Sequence, residues 1–296
     1  MALGRVTQNM MVRQSLTAIE TNSSRAAKLQ EQLASGRRLN RPSDSPTDTI
    51  EAMRVRAEAA ANKQFAANAQ DGIGWLGQLD TTLASMTSQV RRARELALTG
   101  ANEGAMSPAS REALAVEVDQ IRESLITQAN TDYLGRPVFG GVTAGSKAYD
   151  ADGTYIGTPA AVNRTVADGV SVRVDVDGLA VFGTAGDSLF DDLAALSSAL
   201  RAGDGDEIRA GIDILAGRMT DLTNTQVDVG IRQKRLDDVL ASSVDTELTL
   251  TARLSDLEDV DLVKTAIDVK LADVAYQASL ASSARVLSTS LMDYLR

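Results

Sequence analysis

The feature that most constrains this chain is a run of apolar residues at alternating steps of three and four. It comprises Ile208, Ile212, Leu215, Met219, Leu222, Val229, Leu236 and Leu240, with Gln226 and Gln233 at the skipped positions. A 3.5-residue period held over several heptads demands a helix that buries one narrow stripe against another helix along its length. The same period recurs at Leu76, Leu79, Leu83, Met86, Val90, Ala93 and Ala97. A shorter face runs Val12, Leu16, Ile19, Ala26, Leu29 and Leu33, and another continues through Leu250, Leu254, Leu257, Val260, Val263, Ile267, Leu271 and Val274. No glycine follows Gly230 and no proline follows Pro159. Residues 231–296 are therefore expected as one nearly unbroken helix, ~100 Å long at ~1.5 Å per residue.

Composition agrees with helix seams and removes most chemistry. Aromatics are 3% of 296 residues, with Trp75 the single tryptophan, so the apolar content is chiefly Ala, Leu, Val and Ile. There is no cysteine and no histidine, which eliminates disulfides, thiolates and the commonest general base and metal ligand. No spacing pairs a nucleophile with a base, and no phosphate-binding glycine loop occurs. The reading is of a protein without catalytic, cofactor or metal residues. Asp150 and Asp152 in DADG are spaced as in a calcium loop but lack its third acid and distal glutamate, so a hairpin turn is the expectation. A net charge of -10 repels phosphate backbones and anionic lipid, which argues against nucleic acid and membrane as partners. The start of the chain lacks the apolar core of a secretory signal, so any route out of the cell is expected to use no cleaved signal peptide.

The period changes between residues 132 and 188, where alternating runs such as GVSVRVDVDGLAVFG set Val170, Val172, Val174 and Val176 on one face. The expected division is a terminal-helix segment with its connector at 1–46, bundle helices at 47–131, an inserted β domain at 132–188, bundle helices at 189–254, and a terminal helix at 255–296. Aspartate–glycine pairs at Asp152, Asp168 and Asp177 are expected hairpin turns. Ser107 followed by Pro108 reads as a helix start, and Gly72, Gly74 and Gly77 around Trp75 as close helix packing or a bend. Residues 1–40 carry six basic residues against two acids, and residues 255–296 seven acids against four basic residues. Opposite charge on two amphipathic ends suggests that they pair. Between the first two helical stretches lies SGRRLNRPSDSPTD. Here Gly36 ends one helix in the left-handed conformation, Pro42 and Pro46 prevent its continuation, and Ser45 or Thr47, close to Asp44, caps the next. Its arginines either meet a neighbour's acidic helix or lie solvated.

The segments RVTQNMM, LQEQLASGRRLNRPSDSPTDTIEAMRVR, NAQDGIGWLGQLDTTL, RRARELALTGAN, ANTDYLGRPVFGG and STSLMDYLR, in that order, resemble the flagellin superfamily, and within it the branch at the hook–filament junction. Ser45 departs from a pattern that commonly carries a second aspartate there. The resemblance implies a mainly α, elongated flagellin-like bundle with a small inserted β domain, its inner coiled coil formed by both chain ends. It also implies a non-enzymatic component of the extracellular flagellum, exported by the flagellar type III apparatus with an export chaperone. Such a component assembles as a ring or helical homo-oligomer between the first hook-associated protein and flagellin. Flagellin itself, or an unrelated coiled-coil scaffold, is the alternative. The assembly seam is expected at Leu16, Ile19, Leu29 and Leu33 with Val263, Ile267, Leu271 and Val274, and the connector at Gly36, Pro42, Asp44, Ser45 and Pro46. Lacking partners for these stripes, the terminal segments are expected to be partly disordered before assembly.

Overall fold

The computed structural model describes residues 2–102 and 107–294, with side chains described for 10–102 and 107–285. Helices dominate: α1 (Ala2–Ser35), α2 (Pro46–Asn102), α3 (Pro108–Ala129), the short α4 (Gly178–Phe182), α5 (Leu189–Ala202), α6 (Gly205–Glu258) and α7 (Leu262–Tyr294). Six short strands lie between α3 and α5: β1 (Asp132–Tyr133), β2 (Arg136–Pro137), β3 (Asn163–Ala167), β4 (Val170–Arg173), β5 (Gly183–Thr184) and β6 (Asp187–Ser188). The chain divides into two compact units, one of residues 1–60 with 247–296 and one of residues 61–246, so α2 and α6 contribute to both.

In the unit of residues 61–246 the heptad stripes become the core. Leu76, Leu79, Leu83, Met86, Val90, Ala93 and Ala97 of α2 are fully buried, as are Leu215, Leu222, Val229 and Leu236 of α6. Each such leucine contributes roughly 1.5–3 kcal/mol over its exposed state. The polar seam residue Gln226 is matched, its Nε2 donating to Asp80 Oδ1 at 3.0 Å. Helices α3 and α5 pack on each other and bury Val118, Ile121 and Leu125 against Leu189, Leu193, Leu196 and Leu200 in the same core. Ser107 caps α3 as expected, its side chain accepting from the Ser110 amide. Ser188 does the same for α5 through the Asp191 amide.

The strand-rich segment forms three separate two-stranded antiparallel sheets, β1–β2, β3–β4 and β5–β6. Its side chains Phe139, Tyr149, Val174 and Phe182 belong to the same apolar cluster as Leu76 and Leu79. Instead of a domain with its own core, residues 132–188 are a cover folded onto helices. The reason is size, because a lone strand pair cannot bury a face by itself. Within the cover Phe139 meets Phe182 edge to face (centroids 4.9 Å apart), and the edge-to-face contact of Tyr149 with Phe190 (5.5 Å) binds the cover to α5. Asp150–Gly153 is a turn, in which Asp150 Oδ1 accepts from the Thr154 amide at 2.8 Å and Gly153 takes a positive φ. Asp168–Gly169 joins β3 to β4. Asp177 departs from the expected hairpin: its carboxylate accepts from the Leu179 amide and caps α4.

Of the glycines around Trp75, Gly72 and Gly74 serve close packing, and α2 continues through all three without a break. A Cβ on Gly72 would stand 2.7 Å from Leu236 Cδ1 and 3.1 Å from Val174 Cγ1, whereas one on Gly77 meets nothing within 4 Å. Gly77→Ala is expected to raise stability by about 1 kcal/mol through helix propensity, and Gly72→Ala to lower it by about 1–3 kcal/mol through overpacking. Denaturant titration of both variants separates the two, and equal effects would contradict the packing assigned to Gly72.

Candidate assembly interface

The unit of residues 1–60 and 247–296 is organised by its two helix breaks. Helix α1 ends at Ser35, and Gly36 turns the chain with φ +69°. The long C-terminal helix predicted from sequence is also interrupted, because α6 stops at Glu258 and α7 begins at Leu262. Asp261 is the helix-start signal that composition hid: its Oδ1 accepts from the Lys264 amide at 3.0 Å and caps α7. The two breaks then satisfy each other. Arg37 and Asp259 form an antiparallel bridge, the Arg38 amide donates to the Glu258 carbonyl at 2.6 Å, and the Val260 amide donates to the Gly36 carbonyl at 3.1 Å. Backbone groups orphaned where two helices end are thereby paired.

Side chains lock this joint. Arg38 donates to Asp48 Oδ2 at 2.8 Å and to the Leu257 carbonyl at 2.7 Å, while Arg56 holds the buried Glu258 carboxylate at 2.7 Å. Asp44 Oδ2 accepts from the amides of Asn40 (3.2 Å) and Arg41 (2.9 Å), and its Oδ1 pairs with Lys28 at 2.9 Å. Pro42 lies inside the turn closed by the Asp44 amide on the Arg41 carbonyl. Pro46 is the first residue of α2. Of the two capping candidates the structure selects Ser45, whose carbonyl accepts from the Thr49 amide at 2.9 Å and whose hydroxyl faces the Asp48 amide at 3.4 Å. The connector arginines are engaged within the chain, Arg41 with Glu31 at 3.2 Å and Arg37 more distantly with Glu258 at 4.0 Å. The Lys28 ammonium, followed by the Arg41 amide, holds the Asp44 carboxyl below its ordinary range. Arg38, followed by Ser45, does the same for Asp48.

From this joint α1 and α7 fold back on each other as an antiparallel pair. The terminal segments thus have a partner within the chain, in line with the pairing that their opposite charges suggest. The pairing uses an unexpected face. On α7 the inward row is Thr265, Val269, Ala272, Tyr276, Ser279 and Ser283, at heptad spacing, with Thr265 and Ala272 only 5% and 6% exposed. On α1 it is Val12, Ser15, Ile19, Asn22, Ala26, Leu29 and Leu33. The eight seam residues expected from sequence therefore separate. Ile19, Leu29 and Leu33 are half-buried in the inner row, and Leu16 points out. Val263, Ile267, Leu271 and Val274 form an outer stripe 73%, 56%, 63% and 64% exposed. A search for apolarity passes over the α7 row because four of its six residues are serine, threonine and alanine. Its signal is heptad spacing alone. The α7 helix therefore spends its poorer face inside the chain and leaves its richer face open. No helix among the described residues is long and apolar enough to cross a membrane.

The two ends of this helical chain pair and leave an apolar edge uncovered. Comparison with known proteins gives the family. Residues 6–144 match the bacterial flagellin N-terminal helical region, and residues 212–295 match the bacterial flagellin C-terminal helical region. The chain belongs to the flagellin family. It is 24% identical to flagellar hook-associated protein 3 of Escherichia coli, over 93% of this chain and 94% of that one. It is also 22% identical to the flagellin of Bacillus subtilis, over 95% of each. The crystal structure of Bacillus cereus FlgL superposes with a TM-score of 0.60 at 23% identity, covering 68% of this chain and 99% of that chain. The fold is accordingly flagellin-like.

The connector carries a pH signature with a defined sign. Carboxyls depressed in the folded state stabilise fully above the usual carboxylate range and cease to do so as pH falls through their folded values. Asp44→Asn should lower the melting temperature at pH 7, and that effect should diminish at pH 2.5. Thermal unfolding of the variant and the unaltered chain at both pH values checks this, and an undiminished difference in acid would contradict the role given to Asp44.

Proposed function

We propose that this protein is a non-enzymatic structural adaptor of the bacterial flagellum at the hook–filament junction, where it joins the first hook-associated protein to flagellin. It assembles with copies of itself as a ring or helical homo-oligomer and reaches its place through the flagellar export apparatus, with an export chaperone and without a cleaved signal peptide. The relatives named as hook-associated protein 3 and FlgL support the position. The observation that carries the assembly reading is the open stripe of Val263, Ile267, Leu271 and Val274. Four large aliphatic residues in a row on one helix face gain burial only from another molecule. Similarity to a flagellin over nearly the whole chain keeps a filament subunit as the second reading. Purified protein added to isolated hooks that carry the first hook-associated protein separates the two: an adaptor caps hook ends and stops, whereas a filament subunit elongates.

The stripe makes a further prediction. A fully buried Ile in such a seam is worth ~2–5 kcal/mol, and a carboxylate there costs more. Ile267→Asp should abolish binding to hook ends while leaving the circular dichroism melt of the 61–246 unit unchanged. Normal attachment of this variant would exclude the stripe as the assembly surface.

A further inference from the structure

The hairpin β1–β2 carries an anomaly. Its turn is Leu134–Gly135, with φ +51° and +78°, the double positive φ of the tightest hairpins. Glycine suits both central positions, and Asn or Asp the first. Leucine there is a backbone outlier, and it is also 81% exposed, the most exposed large apolar side chain among the described residues. The residue thus disfavours folding twice, by its backbone and by its exposure. Such a feature marks a position held for function.

The hairpin beneath it is rigid. Asp132 Oδ2 accepts from the Gly135 amide at 2.9 Å, Tyr133 packs on Trp75 at 5.7 Å between ring centroids, and the Arg136 guanidinium lies 5.8 Å from the Trp75 ring centre. A large apolar side chain on a fixed base is what a binding hot spot requires.

The same unit offers a receiving site. A cleft of about 310 Å³ is walled by Val176, Ala180 and Val181 and rimmed by Arg173, Asp228 and Arg232, an apolar floor with a polar margin. Knob and cleft lie at one height. Gly72 of α2 stands against Leu236 of α6, and Asp80 of α2 bonds Gln226. Trp75, under the hairpin, is therefore level with the α6 segment that contributes Asp228 and Arg232 to the cleft. Leu134 is not among the residues lining that cleft. A protruding group and a recess at equal height on one subunit are the elements of a head-to-tail contact that closes a ring. Both surfaces carry charges of both signs, Asp132 and Arg136 on the knob and Arg173, Asp177, Asp228 and Arg232 around the recess.

We infer that Leu134 of one copy enters the Val176–Ala180–Val181 cleft of the next copy, forming a lateral contact separate from the α7 stripe. The inference rests on the self-assembly reading above. Because the chain has no cysteine, it can be tested with two single variants, Leu134→Cys and Ala180→Cys, mixed, assembled on isolated hooks that carry the first hook-associated protein and mildly oxidised. The expected product is a 134–180 disulfide dimer that is absent when Val116→Cys on α3 replaces Ala180→Cys. Leu134→Asn, which relieves the turn, should melt at the same or a higher temperature and bind hook ends at least tenfold more weakly. Assemblies without the 134–180 bond, or a Leu134→Asn chain that assembles as well as the unaltered one, overturn this inference and leave the adaptor reading standing. Failure of the unaltered chain to bind hook ends overturns the adaptor reading, and this inference with it.

Discussion

The backbone exchange between residues 36–38 and 258–260 is the constraint on which the terminal unit depends. Two helices end within it, and each supplies the hydrogen-bond partners that the other's interruption exposes. Without the bridge, both breaks would leave amides and carbonyls competing for water, and α1 would have no fixed direction relative to α7. With it, the antiparallel pairing follows from chain geometry before any side chain is considered. Arg38 and Arg56 then commit the joint by tying it to Asp48, Leu257 and Glu258. Arg38 bonds a carboxylate and a carbonyl from different segments, a use that the planar fork of arginine allows.

Much of the second unit was legible because its physics is periodic. A 3.5-residue stripe has one interpretation, and every member of Leu76–Ala97 is buried as that interpretation requires. The caps at Ser107 and Ser188 and the turns at Gly153 and Gly169 are likewise local chemistry that a sequence displays directly. What escaped was decided at long range. Asp261 looks like any helix-surface acid until the Gly36 segment arrives to pair beside it, so the break at 259–261 was invisible. Asp177 sits in the same dipeptide as Asp168, yet it caps a helix because α4 must turn Phe182 toward Tyr149 and Phe190. The strand-rich segment announced its alternation correctly but not its lack of independence, which depends on how little area three strand pairs can hide.

The candidate interface divides along the same line. The apolar stripe of α7 was readable, but the direction it faces was not. Sequence identifies the richest face and naturally assigns it to the nearest partner. The structure gives that partner the face made of Thr265, Ala272, Ser279 and Ser283 instead. Small side chains suffice within a chain, where the connector already supplies proximity and little entropy is left to offset. Association between molecules has no such help and needs the larger residues.

The outer stripe of α7 also has a grammar of charge. Each exposed aliphatic residue adjoins an ionised one in sequence: Val263 beside Lys264, Ile267 beside Asp268, Leu271 beside Lys270, Val274 beside Asp273. Such gatekeepers interrupt what would otherwise be a continuous sticky edge and discourage indiscriminate clumping. They alternate plus, minus, plus, minus along the helix. A partner seated on this edge would meet aliphatic residues at its middle and charges of both signs at its margins.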